Sequence, residues 1–349
     1  MKGNIISSSA TLLQALERLN DLPGSAMTLF VTDDGNRVIG SLTDGDIRRG
    51  LLRGLSLQSP VSEAACTSFR AVTADGDNVE FLRDCRNRGI KLVPRLNADG
   101  SLAEIIDLNT TRTRLPLGAI LMAGGMGERL RPLTLTTPKP LLEIEGKAII
   151  DYNIEALAAV GVSDITVTTR YLAEKIEEHF AAPVAGVQVK CVKEEQPLGT
   201  IGAARLADIP AEGNTIVMNS DLLTTISFEE LYLKHKSSGA DATIAVIPYQ
   251  ISVPYAILTL NGERVTGIEE KPSYSYYANA GIYIFNNRLL RGLPADKRVD
   301  ATDLLEQIMA DGARVAYYPI KGTWIDVGSP VDFKQATELM RHHKNLTNS

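Results

Sequence analysis

Cysteine is scarce in this chain of 349 residues: Cys66, Cys85 and Cys191 are odd in number, widely spaced and form no CxxC pair. That excludes a disulfide framework and points to reduced thiols packed in a cytosol. An excess of positive charge is missing too. With 36 Lys and Arg against 42 Asp and Glu, the formal charge of -6 gives no global attraction to nucleic acid or an anionic membrane. No apolar run approaches a membrane span, and the polar Ser7, Ser8 and Ser9 stand where a secretory signal would place its apolar segment. A cytoplasmic protein is expected. The balance of 44% hydrophobic and 22% charged residues is that of an ordinary globular chain, and its length favours two domains over one.

Residues 1–112 carry one pattern twice: an amphipathic helix, a short strand, an Asp-Gly turn and a second strand. The first copy has Leu12, Leu13, Leu16 and Leu19 at helical spacing, then strands 28–32 and 38–42 around Asp34-Gly35. The second is weaker, with Val79, Leu82 and Cys85 on its helix and strands 90–93 and 102–106 around Asp99-Gly100. The polar stretch 109–114 reads as a linker. From residue 117 to 349 strands and helices alternate: strands 117–122, 164–168, 187–192 and 214–218, and helices 148–160 and 172–180. This pattern predicts an α/β domain with a mostly parallel, Rossmann-like sheet. Shorter strands are expected near 242–247, 255–260 and 278–285, and a last helix over 331–343. His342 and His343 are adjacent on that helix, face no common ligand and read as solvated.

The stretch Met122-Ala-Gly-Gly-Met-Gly-Glu-Arg-Leu-Arg-Pro-Leu-Thr-Leu-Thr-Thr-Pro-Lys-Pro140 follows the first strand of the second domain. Gly124, Gly125 and Gly127 allow a tight turn that presents backbone N–H groups to anionic oxygens. A dinucleotide-binding loop would run straight into a helix, but Pro132, Pro138 and Pro140 oppose one, so an extended loop is expected. The Gly-Lys-Ser/Thr ending of a P-loop is also absent. Instead two cations, Arg129 and Lys139, flank the glycines, a composition suited to a triphosphate.

This stretch resembles the GGxGxRLxPLTxxxPKP motif of the nucleotidyltransferases that make nucleotide-sugars, a family with a GT-A-like fold that includes mannose-1-phosphate guanylyltransferases and glucose-1-phosphate thymidylyl- and uridylyltransferases. The resemblance covers about residues 117–345. It implies transfer of a nucleoside monophosphate from an NTP, with GTP favoured, to a hexose or hexosamine 1-phosphate. UTP or dTTP as donor, a cytidylyltransferase for a non-sugar phosphate and a catalytically silent sensor stand as alternatives. It further implies that Met122, Ala123, Gly124, Gly125 and Gly127 contact the nucleotide, that Arg129 and Lys139 act on its phosphates, and that Asp221 and Asp326 hold Mg2+. Glu195, Gly199 and Thr200 fall in a loop resembling the one near the nucleobase, with Gly199 opening a helix. Glu270 and Lys271 match the family's E-K-P, and Asn279 and Gly281 its N-A-G, both on the sugar-phosphate side. Ala256 stands where the family usually has glycine, and Glu128 where Thr or Ser is commonest.

The segment Gly40-Ser-Leu-Thr-Asp-Gly-Asp46 resembles the strand-to-helix turn of CBS domains, α+β modules that work as tandem pairs and often bind adenine nucleotides. Thr43 and Asp46 are the matching ligand candidates. The second copy offers only Ile105-Ile106-Asp107 and lacks the threonine. A tandem CBS pair implies an adenine or guanine nucleotide as regulator and a homodimer or higher homo-oligomer as the assembly.

Overall fold

The computed structural model describes residues 2–22, 26–73, 78–111 and 113–347, without the side chains of residues 2 and 342–347. Arg112 of the expected linker and the side chains of His342 and His343 therefore lie outside the described residues. The chain divides into two compact units, Met1–Leu115 and Pro116–Ser349.

In the first unit β1 (Ile5–Ser7) runs parallel to β2 (Thr28–Thr32), which turns back as β3 (Val38–Thr43). Helices α1 (Leu12–Asn20) and α2 (Asp44–Leu52) each begin with a reciprocal cap, Thr11 with Gln14 and Thr43 with Asp46, which satisfies the free N–H groups of the first turn. Leu12, Ala15 and Leu19 of α1 and Ile47 of α2 are buried with Leu29, Val31 and Leu42 of the sheet. The second copy repeats the arrangement with β4 (Val72–Thr73), α3 (Val79–Asn87), β5 (Leu92–Leu96) and β6 (Leu102–Asp107). Its central strand starts at Leu92 rather than Ile90, because the N–H of Ile90 closes the end of α3 on Cys85 O. The two copies interlock: Val38 N donates to Gly100 O, Leu102 N donates to Asn36 O, and Phe30, Val38, Leu92 and Ile105 share one core.

The second unit is built on a seven-stranded sheet. Its strands are β7 (Leu117–Ala123), β10 (Ile165–Thr169), β11 (Lys190–Lys193), β12 (Asn214–Asn219), β14 (Ala242–Ser252), β17 (Ser273–Asn286) and β18 (Val315–Pro319), in the order β11-β10-β7-β12-β17-β14-β18. Only β17 runs against its neighbours; all other pairings are parallel. Strand β10 is buried on both faces, as a parallel strand between helical layers must be. Between these strands lie the small hairpin β8 (Glu143–Ile144) and β9 (Lys147–Ala148), then α4 (Ile149–Ala158), α5 (Ala173–His179), β13 (Leu222–Thr224) and α6 (Phe228–Ser238). Helix α6 is capped by the Ser227 hydroxyl, and left-handed Gly239 ends it. A ribbon of β15 (Ile257–Asn261) and β16 (Arg264–Glu269) extends the β14–β17 pair, and α7 (Asn287–Arg291), α8 (Ala301–Ala310), β19 (Trp324–Asp326) and α9 (Pro330–Thr347) complete the unit.

Two cores lie in this unit, one of them against the sheet. On one side Ile120, Val217 and Phe285 pack with Leu290 of α7 and Leu304, Leu305 and Ile308 of α8. The other core gathers residues far apart in sequence: Leu130 and Leu142 of the proline-rich loop, Leu223 of β13, Ile325 of β19 and Ala336 of α9. The proline-rich loop is not extended as expected. It coils into three single 3-10 turns, Glu128–Leu130, Leu133–Leu135 and Lys139–Leu141, which suit Pro132 and Pro138 at their caps because so short a turn asks little of the missing N–H. Likewise the segment after Gly199 forms the 3-10 turn Gly202–Leu206 rather than an α-helix. Cys66, Cys85 and Cys191 are free thiols, and no helix among the described residues is long and apolar enough to cross a membrane.

Candidate active site

The C-terminal ends of β11, β10, β7 and β12 lie side by side and open onto a cavity of about 330 Å3. Ligands of open α/β sheets bind at this edge. Met122, Ala123, Gly124 and Gly125 form its floor, Lys139, Ser220 and Asp221 one end, and Glu194, Arg170, Gly199 and Thr200 the other.

Lys139 is drawn inward by the short turn that begins with it and by Gly127. A Cβ on Gly127 would stand 2.9 Å from Thr134 Cγ2 and 3.1 Å from Lys139 Cβ, and its φ of +60° is left-handed, so glycine alone lets the loop fold onto the lysine. Thr134 Oγ1 donates to Gly127 O at 2.8 Å and fixes that contact. Gly127 thus shapes the loop without lining the cavity.

Asp221 and Asp326 are brought together by a two-stranded pairing of residues a hundred positions apart. Leu222 of β13 is opposite Asp326 of β19, and Val327 N donates to Asp221 O at 3.1 Å. Lys139 Nζ makes an ion pair with Asp221 and lies 3.5 Å from Asp326 Oδ1. Burial pushes the Asp326 carboxyl above its usual range, the Asp221 charge adds to this, and Lys139 opposes both. Asp221 Oδ1 is buried without any hydrogen-bond partner. No cluster of three or more His, Cys, Asp or Glu suited to a metal occurs among the described residues. An orphaned carboxylate oxygen beside a second carboxylate is nevertheless a fitting donor set for magnesium, which usually takes one or two carboxylates and fills its shell with water and substrate phosphate.

Arg129 stands next to this cluster rather than in the cavity. Its guanidinium lies over Gly328, where a Cβ would come within 3.0 Å of it, and together with Trp324 and Asp326 it lines an adjoining cavity of about 290 Å3.

At the opposite end the loop after β11 is held by residues that sequence reasoning passes over. Gly199 has φ +84°, and a Cβ there would fall 2.4 Å from Val299 O, so glycine is required. Thr200 N donates to Asp300 Oδ1 at 2.9 Å, and Ala301 N donates to Thr200 Oγ1 at 2.8 Å. Of the two acidic residues here, Glu194 lines the cavity and Glu195 is exposed outside it, which corrects the expectation for Glu195. The reason is alternation: Glu194 N still pairs with Thr169 O, continuing the strand, so its side chain turns inward. Arg170, Thr168, Asn219, Arg298 and Asp300 also line the cavity. Thr168, Arg170 and Asn219 are marked only by their positions at strand ends, and Arg298 and Asp300 only by preceding α8.

The sugar-side expectations divide. Gly281, at φ +69°, abuts the side chain of Asn219, and Asn279 Oδ1 accepts from Gly281 N, so this turn of β17 borders the cavity near Asp221. Glu270 and Lys271 are exposed and do not line it. Strands β14 and β17 stay paired out to Ser252 opposite Ser273, which puts Ser273 about 20 Å beyond Asn279 along the strand and the turn at Lys271 beyond that.

In the first unit Thr43 lines a cavity of about 580 Å3 with Phe30, Phe69, Arg70 and Arg88. Asp46 does not line it. Its Oδ2 accepts from Thr43 Oγ1 at 2.6 Å and from Thr43 N at 2.9 Å, and its Oδ1 takes Arg49, so it serves as a helix cap.

The profile of the nucleotidyl transferase family matches residues 118–343. The mannose-1-phosphate guanyltransferase of Neurospora crassa is 35% identical over 231 residues, 63% of this chain and 63% of that protein. The mannose-1-phosphate guanylyltransferase catalytic subunit beta of Danio rerio is 33% identical over 227 residues, 62% of each. The chain thus spans a little under two thirds of the length of these relatives. Among solved structures, HddC from Yersinia pseudotuberculosis complexed with GMP-PN is 25% identical and superimposes with a TM-score of 0.50, covering 64% of this chain and 99% of HddC.

Proposed function

The chain belongs to the nucleotidyl transferase family, and from that premise we propose that its second unit transfers a nucleoside monophosphate from GTP to a hexose or hexosamine 1-phosphate, releasing pyrophosphate. The observation that carries the reading is Lys139, buried between Asp221 and Asp326 at the end of a glycine-floored cavity. An oxygen of the sugar phosphate attacks the α-phosphorus in line, the bond to pyrophosphate breaks, and no covalent enzyme intermediate is required. The task of the protein is to hold two polyanions together against their repulsion.

Lys139 covers the attacking phosphate and the α-phosphate. Arg129, in the adjoining cavity, grips the leaving β- and γ-phosphates. The N–H groups of Gly124 and Gly125 cradle the chain of phosphates, and Gly281 and Asn279 border the acceptor. Glu270 and Lys271 reach the acceptor only if the arm formed by β14–β17 bends towards the cavity. Asp221 and Asp326 would hold magnesium, which when bound supplies Lewis-acid neutralisation of phosphate charge. Guanine is favoured because the relatives named above are guanylyltransferases and HddC was solved with a guanine nucleotide. Pyrophosphate release across four NTPs and a panel of sugar 1-phosphates tests the reading. GTP with one hexose or hexosamine 1-phosphate should lead, and no release with any pair would end it.

For the first unit we propose a CBS pair whose cavity at Thr43 takes the nucleotide of a regulatory ligand. The aromatic walls Phe30 and Phe69 beside Arg70 and Arg88 support this. Titration calorimetry of the full chain with AMP, which cannot serve as donor, should show binding that Thr43→Val weakens.

A further inference from the structure

Arg129 and Lys139 sit on one loop but on different turns of it, Glu128–Leu130 and Lys139–Leu141. The core holds both outer turns, because Leu130, next to Arg129, and Leu142, just past the second turn, are buried in the same cluster. The middle turn, Leu133–Leu135, has no such anchor: Leu133 and Leu135 are 47% and 54% exposed. Side chains attach it instead. Thr134, fully buried, donates its hydroxyl to Gly127 O at 2.8 Å, which ties the turn to the start of its own loop. Tyr171 Oη donates to Thr134 O at 3.0 Å and lies 3.4 Å from Leu135 O, and Lys175 Nζ donates to Thr136 O. Those bonds tie it to the body of the unit.

The anchor is rigid where the turn is not. Tyr171 comes just after β10, a strand paired with β7 on one side and β11 on the other. Leu172 then takes φ +50°, a left-handed conformation that a residue other than glycine seldom adopts, and the chain enters α5 with Ala173 and Ile176 buried. Tyr171 and Lys175, on either side of this bend, reach the carbonyls of residues 134 and 136, and the charged donor makes the stronger of the two bonds. Neither side chain lines the cavity or the one adjoining it, so neither touches substrate. Resting on the nucleotidyl-transfer reading above, we propose that Tyr171 and Lys175 are positioning residues, whose hold on the middle turn sets the spacing of Arg129 and Lys139 for the in-line displacement. A misplacement of about 1 Å in such a constellation can cost on the order of 10²-fold in rate.

Tyr171→Phe removes the hydroxyl and keeps the ring, and Lys175→Met removes the charge and keeps the stem. In pyrophosphate release by the full chain with GTP and the preferred sugar 1-phosphate, each should lower kcat about 10-fold while KM for GTP changes less than about 3-fold. Lys175→Arg, which restores a charged donor, should recover most of the rate. A role in stability alone would lower the melting temperature and leave the kcat of the folded protein as it was. A cycle with Lys139→Ala separates the two further, because a spacing between two cations has no meaning once one is gone. Adding Tyr171→Phe to Lys139→Ala should therefore cost about twofold or less. Wild-type kcat in both Tyr171→Phe and Lys175→Met, or a full second loss in the double variant, overturns the proposal. If Tyr171→Phe does not fold, Lys175→Met, a change at an exposed residue, decides. Absence of pyrophosphate release by the wild type would strike the transfer reading, whereas release that ignores both residues strikes only this inference.

Discussion

The two ends of the cavity spend buried charge in opposite ways. At the phosphate end Lys139 pairs with Asp221 and lies 3.5 Å from Asp326, so a cation within the protein partly compensates the two carboxylates. At the far end Glu194 is buried, with a backbone N–H for one oxygen and the charge of Arg170 acting on it. Removing a charge should therefore have opposite consequences for stability at the two places. The first is a pair, which is strongly destabilising to break from one side. The second is a standing cost that the folded protein bears in the absence of ligand.

Lys139→Ala is the harshest way to break the comparison. It removes a preorganised cation from the reacting phosphates, so turnover with GTP should fall by about 10² to 10³. It also leaves Asp221 and Asp326 facing each other uncompensated, at a cost on the order of 3 kcal/mol, and a lowered melting temperature should accompany the lost activity. Wild-type turnover in this variant would remove the foundation of the functional reading.

Gly124→Ala probes the other end without altering any charge. The new methyl would meet Glu194 Oε1 at 2.5 Å, and the carboxylate, being the end of a flexible side chain, is what moves. Affinity for GTP should drop about 10-fold, Glu194→Gln should lose a similar amount, and the double variant should lose little more, since contacting residues are not additive. Additive losses would mean that the glycine serves the phosphates instead.

The ends also differ in how far the sequence discloses them. Strands β7 and β12 are legible because an element largely buried on both faces leaves an apolar run, β10 because β-branched Ile, Val and Thr fill it, and the glycines that follow β7 mark the floor of the cavity. The meeting of Lys139 with Asp326 has no local signal. The two are 187 positions apart and joined through the β13–β19 pairing, so only resemblance to a known motif suggests it. Glu194 is hidden differently: it is followed by an identical residue, and only the strand's alternation, which depends on where β11 stops pairing, decides which of the two turns inward. The outer halves of β14 and β17 are missed because exposed Tyr249, Tyr274, Tyr276 and Tyr277 among serines show no one-sided apolar period, although the ladder continues through them. That misjudged length is also why Glu270 and Lys271 stand far from the cavity.

The gentlest test uses pH. Burial raises the Glu194 carboxyl above its ordinary 4.5, while the Leu198 N–H and the charge of Arg170 pull it back. A carboxyl whose folded pKa is raised binds its proton more tightly in the folded state, so its contribution to stability is complete below 4.5 and fades as pH rises through the folded value. At neutral pH the protein therefore carries the cost of an ionised, buried Glu194. Glu194→Gln should melt at or slightly above the wild-type temperature at pH 7, and the difference should shrink towards pH 4 as the wild type takes up its proton. A variant less stable than wild type at pH 7 would mean that the carboxylate is paid for inside the protein, and the contrast between the two ends would collapse.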